Sequence, residues 1–108
     1  MKKLILTAAL LIAAAGVFAQ GEYNLQRRSL FEKLPVTSRD IVFLGNSITD
    51  GGEWHELLGN PRVKNRGISG DRTSWMLDRL DPILDGQPRK LFLLIGTNDL
   101  AVNTPVAE

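Results

Sequence analysis

The chain has 108 residues, no cysteine, and thirteen lysines and arginines against twelve acidic residues, a formal net charge of +1. This length fits one small domain. The lack of cysteine excludes disulfides and a lipid-modified cysteine. A near-neutral balance with no basic stripe offers no electrostatic basis for binding nucleic acid.

Lys2 and Lys3 precede an unbroken apolar or small-residue run from Leu4 to Gly16, and Val17-Phe18-Ala19 supplies small residues at cleavage positions. This is the pattern of an export signal removed near Ala19. The uncharged stretch is shorter than the roughly 20 residues of a spanning helix, so a periplasmic or secreted protein without a stable membrane anchor is expected. Without Lys2 and Lys3, eleven basic residues face twelve acidic ones.

Between Gln20 and Asp40, Tyr23, Leu30, Phe31 and Leu34 recur at near-helical spacing, predicting a short amphipathic lead-in helix ended by Pro35. Ile41-Val42-Phe43-Leu44 is an apolar run of strand length closed by Gly45, the pattern of a strand buried on both faces. Trp54, Leu57 and Leu58 mark one face of a short helix stopped by Gly59, Asn60 and Pro61. Val63 to Arg66 is a weaker strand. After Asp71, a helix is predicted with Met76, Leu77, Leu80, Ile83 and Leu84 on its apolar face and Asp78, Arg79 and Asp85 off it, ending before Gly86. Leu91 to Ile95 repeats the buried-strand pattern, Leu100 to Thr104 reads as a loop, and Pro105 as the first turn of a further helix.

Strands alternating with helices predict an α/β fold with a parallel sheet and crossover helices. In such sheets ligands bind outside the carboxyl ends of the strands. Three polar segments fall at those ends: Gly45-Asn46-Ser47-Ile48, Gly67-Ile68-Ser69-Gly70-Asp71 and Gly96-Thr97-Asn98-Asp99. Ser47 follows its strand by two residues, where its hydroxyl either projects from the sheet as a nucleophile or caps the next helix. Gly70 either brings a backbone amide close to a substrate or serves a tight turn, with Asp71 as helix cap. Asn98 either aims its amide at a developing oxyanion or bonds its own turn. The segment lacks the second glycine of a Gly-x-Ser-x-Gly elbow and the Lys-Ser/Thr of a phosphate-binding loop.

These three ordered blocks resemble those of the SGNH hydrolases, also called the GDSL esterases and lipases, over about Asp40 to Ala101, with Asn46 where aspartate is usual. The resemblance implies a three-layer, doubly wound, flavodoxin-like parallel sheet, incomplete at its carboxyl end. Residues 1–19 are then a signal peptide, 20–40 a lead-in helix and 41–108 part of the hydrolase domain. It further implies that Ser47 is the nucleophile and that the Gly70 amide and Asn98 side chain, with the Ser47 amide, form the oxyanion hole. The implied activity is hydrolysis of small acyl esters, with acetylated carbohydrate as the substrate and no metal or organic cofactor.

The family's Asp-x-x-His block has no counterpart in the sequence. His55, the only histidine, follows Gly52-Glu53-Trp54 and reads as an exposed or partly packed side chain. The chain therefore reads as the amino-terminal part of a longer esterase. Rival readings are a non-catalytic or carbohydrate-binding remnant and a lysophospholipase or thioesterase. Trp54 and Trp75 read as packing residues or, if exposed, as sugar platforms. Asp50, Asp71 and Asp99 read as turn and cap residues before metal ligands.

Overall fold

A computed structural model describes residues 21–107; the predicted leader, 1–19, lies outside them. Residues 21–33 are helical (α1). The chain continues through β1 (Ile41–Gly45), α2 (Ser47–Asp50), α3 (Trp54–Leu57), β2 (Val63–Gly67), α4 (Thr73–Leu77), α5 (Asp81–Asp85), β3 (Lys90–Leu94) and α6 (Thr97–Ala101). The strands form a parallel sheet in the order β2-β1-β3. This is the strand order of a flavodoxin-like doubly wound sheet, in which the chain reverses direction across β1. Gly45 aligns with Gly67 and with Leu94, so all three strands leave the sheet at the same end.

Strand alternation assigns the layers. Val42 and Leu44 point to one face, where they form a core with Met76 of α4 and Ile83 of α5, joined by Val36, Leu80 and Ile95. Phe43 points to the other face, packing against Trp54 at 5.6 Å between ring centroids and edge-on against Phe92 at 5.3 Å. Val42 and Leu44 are buried while Ile41 and Phe43 are half-buried, so β1 is covered more completely on one face.

The structure corrects several expectations. The predicted single helix after Asp71 is two short ones separated at Asp78-Arg79-Leu80. Pro82 supplies the reason: it has no N–H for the Asp78 carbonyl, and its ring collides with that carbonyl in a continuous helix. Pro82 instead sits in the first turn of α5, where its missing donor costs nothing. Leu77 and Leu84, expected on the apolar face, are exposed, whereas Arg79, expected off it, is buried. Leu57 and Leu58 of the α3 region are also exposed.

β3 is exposed along its whole length, in contrast to the buried strand its composition suggested, because among the described residues it is an edge strand. Thr97–Ala101, in part assigned to a loop, is helical, and Val106 lies in a turn.

α1 is held by only part of the apolar face expected, Tyr23 and Phe31, together with the polar Asn24. Leu30 and Leu34 are exposed, while Asn24 and Phe31 are buried. The Phe31 ring is surrounded by the guanidinium groups of Arg27, Arg66 and Arg79 at 4.8, 5.0 and 5.9 Å, contacts that draw on the negative face of the ring. Polar and cation–π contacts thus dock α1 on the same layer as α4 and α5.

Close packing of α2 on β2 depends on Gly67, where a Cβ would collide with the backbone of Thr49 and Asp50. Gly67→Ala is expected to destabilise the protein by about 1–3 kcal/mol through this overpacking, read as a lowered urea midpoint at unchanged slope.

Candidate functional site at the strand exits

The three polar segments meet at the carboxyl end of the sheet, as the parallel pairing requires. Ser47 opens α2 and is exposed. It is not the helix cap: Asn46, fully buried, takes that role, its Oδ1 accepting from Ile48 N at 3.2 Å. The Ser47 hydroxyl therefore stands at the rim of the sheet, clear of the capping bond.

Gly70 lies in the turn after β2 with φ of +81°, a conformation costly for any other residue. Nothing occupies the space a Cβ would enter, so the turn presents its backbone openly. Asp71 is not the cap of α4. That cap comes from Asp99, whose carboxylate accepts from Thr73 N at 3.1–3.2 Å and from Thr73 Oγ1 at 3.0 Å. The third segment also reaches the second through Asn98, whose Nδ2 donates to Asp71 O at 2.9 Å. Asn98 therefore does not bond its own turn; one amide hydrogen braces the Gly70 turn, and the other is a donor not taken by this bond.

Asp71, with relative exposure of 0%, is bound by Arg79, whose Nε at 2.8 Å and Nη2 at 2.7 Å both meet Oδ2 in a buried ion pair. The remaining Arg79 donors reach Arg66 O at 2.9 Å and Gly45 O at 3.2 Å, the exits of β2 and β1. Burial pulls the Arg79 guanidinium below its ordinary value, and the Asp71 charge opposes that pull. This role of Arg79 is not among those expected from the sequence. The signal was available, since Arg79 follows Met76 by three residues and precedes Ile83 by four, which is the buried helical stripe.

Asn65 forms a second bracket that composition did not reveal. Its Nδ2 donates to Thr49 O and Gly52 O at 2.8 and 3.0 Å, and its Oδ1 accepts from Gly67 N at 2.8 Å, fixing the end of α2 to β2. Asp50 completes the frame: its Oδ2 accepts from Tyr23 Oη at 2.6 Å and from Ser69 N and Oγ at 2.9 Å each. Desolvation pushes the Asp50 carboxyl up, but the hydrogen bonds from Tyr23 and Ser69 together hold it below the ordinary carboxylate value.

Asp50, Asp71 and Asp99 are thus each engaged by protein donors. No group of three or more His, Cys, Asp or Glu suited to a metal occurs among the described residues. His55 is half-exposed on α3, with Glu56 at 3.7 Å as its acidic neighbour. Trp54 donates Nε1 to Thr49 O at 2.7 Å and packs on Phe43. Trp75 is partly exposed beneath the Arg72 guanidinium at 4.6 Å.

A cavity of about 440 Å³ lies between Thr73 of α4 and the Gly96–Leu100 segment, and one of about 190 Å³ on the Phe43 face; neither is lined by Ser47, Gly70 or Asn98.

Two expected outcomes follow from this network. Arg79→Ala leaves Asp71 buried without its counter-charge and is expected to cost about 3–5 kcal/mol, measured by denaturant unfolding. Because the Asp50 carboxyl is lowered in the folded state, its contribution to stability is full above the ordinary carboxylate value and is lost as pH falls through the lowered one. Asp50→Asn should therefore flatten the acid limb of a stability–pH curve, leaving the neutral-to-mildly-alkaline region parallel to wild type.

Comparison with known proteins bears on family and fold. Residues 43–108 match the GDSL-like lipase/acylhydrolase family. The chain is 33% identical to an uncharacterized lipoprotein, YqeF, of Bacillus subtilis (strain 168), over 60% of this chain and 34% of that protein. It is 35% identical to a solved structure from Streptococcus pneumonia, provisionally described as a platelet activating factor. That superposition has a TM-score of 0.69 and covers 94% of this chain and 48% of the other. The chain thus spans about a third to a half of the length of these relatives. With its three strand-exit segments inside or beside the matched span, the chain belongs to the GDSL-like lipase/acylhydrolase family, the SGNH hydrolases.

Proposed function

We propose that the protein is an exported serine esterase that hydrolyses small acyl esters, with acetyl esters of carbohydrates as the substrate class. The observation that carries this reading is the arrangement of an exposed, non-capping Ser47 at the same sheet end as an open glycine turn and the Asn98 amide. Family membership supports acyl-ester chemistry.

In this mechanism Ser47 Oγ attacks the ester carbonyl and a histidine accepts its proton. The oxyanion of the tetrahedral intermediate is met by the Ser47 and Gly70 backbone amides and the amide hydrogen of Asn98 not directed at Asp71. The acyl-enzyme then forms as the alcohol leaves, and water releases the acid. No metal or organic cofactor enters these steps.

His55, half-exposed on α3 beside Glu56, has Gly52 where an Asp-x-x-His block has its aspartate, and the sequence holds no such block. We assign the base to residues outside these 108, in keeping with relatives about twice as long. Export is supported by the leader-like pattern of Lys2 to Ala19 and by the description of the Bacillus relative as a lipoprotein. No helix among the described residues is long and apolar enough to cross a membrane.

The test is steady-state hydrolysis of a chromogenic acetate by the full-length protein and by the 108-residue chain. Ser47→Ala should abolish turnover in the former. Asn98→Ala should lower kcat by about 100- to 1,000-fold, the effect of removing one oxyanion donor. The 108-residue chain should show no turnover above background. Unchanged turnover in Ser47→Ala would remove the serine from the mechanism.

A further inference from the structure

α1 precedes the span matched to the family, yet two consecutive residues of it reach the turn that carries Gly70. Tyr23 Oη donates to Asp50 Oδ2 at 2.6 Å, and that same oxygen accepts from Ser69 N and Oγ. Buried Asn24 donates from Nδ2 to Asp71 Oδ1 at 3.1 Å. Ser69 and Asp71 are the neighbours of Gly70 on either side. One helix thus reaches both flanks of a single glycine, through Asp50 on one side and directly on the other.

The physical need for such a grip lies in Gly70 itself. With no side chain, it has the widest conformational freedom of any residue, and no neighbouring atom lies within 4 Å of its would-be Cβ position. A backbone donor stabilises an oxyanion only if it is already oriented when charge develops, and a misplacement of about 1 Å can cost on the order of 100-fold in rate. Asp50 also closes α2, the helix that Ser47 opens. The Tyr23 hydrogen bond therefore ties the serine's helix and the glycine's turn to one external support. Arg28 fastens that support to the α4–α5 break through a hydrogen bond from Nη2 to Asp78 O at 3.2 Å.

We propose that Tyr23 and Asn24 are positioning residues for the Gly70 turn, so that α1 is a working part of the ester-hydrolysing site. The inference rests on the oxyanion role given to Gly70 above. Tyr23→Phe removes one hydroxyl from a half-buried ring, and Asn24→Ala removes one amide; Ser29→Ala, which loses only a bond to Leu25 O on the exposed side of the same helix, is the control.

The experiment combines amide hydrogen exchange with acetate hydrolysis in the full-length protein. Tyr23→Phe and Asn24→Ala should speed exchange at Ser69, Gly70 and Asp71 while leaving the β1 and β2 amides as in wild type. Each should lower kcat about tenfold at unchanged KM, with Ser29→Ala like wild type. Three outcomes would overturn the proposal: unchanged exchange in the turn, faster exchange spread evenly over the sheet, or local loosening with full kcat. If Ser47→Ala retains turnover, the esterase reading itself has failed, and the exchange data alone then report whether α1 grips the turn.

Discussion

The buried pair between Arg79 and Asp71 is the constraint on which the strand-exit end depends. A carboxylate with no solvent exposure is tolerable only with a matched counter-charge, and Arg79 supplies it with two donors while using the others on Arg66 O and Gly45 O. One guanidinium therefore fixes the end of β1, the end of β2 and the residue after Gly70. It adds a second donor at the β1 exit, where Gly45 O already accepts from Ile68 N at 3.0 Å. Asn98 adds a hold on the Asp71 carbonyl, and Asp99 caps the helix that follows.

The helix break at Pro82 belongs to the same arrangement. Arg79 occupies the short non-helical stretch between α4 and α5, on the side that faces the sheet. Met76 and Ile83 lie on either side of it in sequence and seal the apolar core, which removes competing water from the ion pair. The core and the polar frame are thus adjacent layers of one structure. Phe31 is buried within the polar frame, its ring set among three guanidinium groups.

Much of this was legible in the sequence. β1 and β3 follow from apolar runs closed by glycine, and the parallel sheet follows from the alternation of strand and helix. The convergence of Ser47, Gly70 and Asn98 follows from that topology, because strand exits far apart in sequence become neighbours only in a parallel sheet. Composition could not show that β3 lacks cover, since an apolar run reads the same at an edge as at a centre. Hydrophobic periodicity also misjudged part of α1, because Asn24 is turned inward by a partner from a distant segment, Asp71. Arg79 was misplaced for a similar reason: a charged residue on an apolar stripe is assigned to solvent until its counter-charge, eight residues away in sequence, is seen beside it.

The register of the sheet carries a consequence for the order of assembly. Pairing Ile41 with Val63 closes a loop less than half as long as pairing Ile41 with Lys90. Chain entropy therefore favours the β1–β2 ribbon by about 0.6 kcal/mol for each doubling of loop length. The ribbon, with Asn65 and Gly67 locking α2 against it, is thus the pairing whose closure costs less, and β3 the pairing whose closure costs more. Since Asn98 and Asp99 lie just beyond β3, the bracing of the serine and the glycine turn by the third segment depends on the costlier of the two closures.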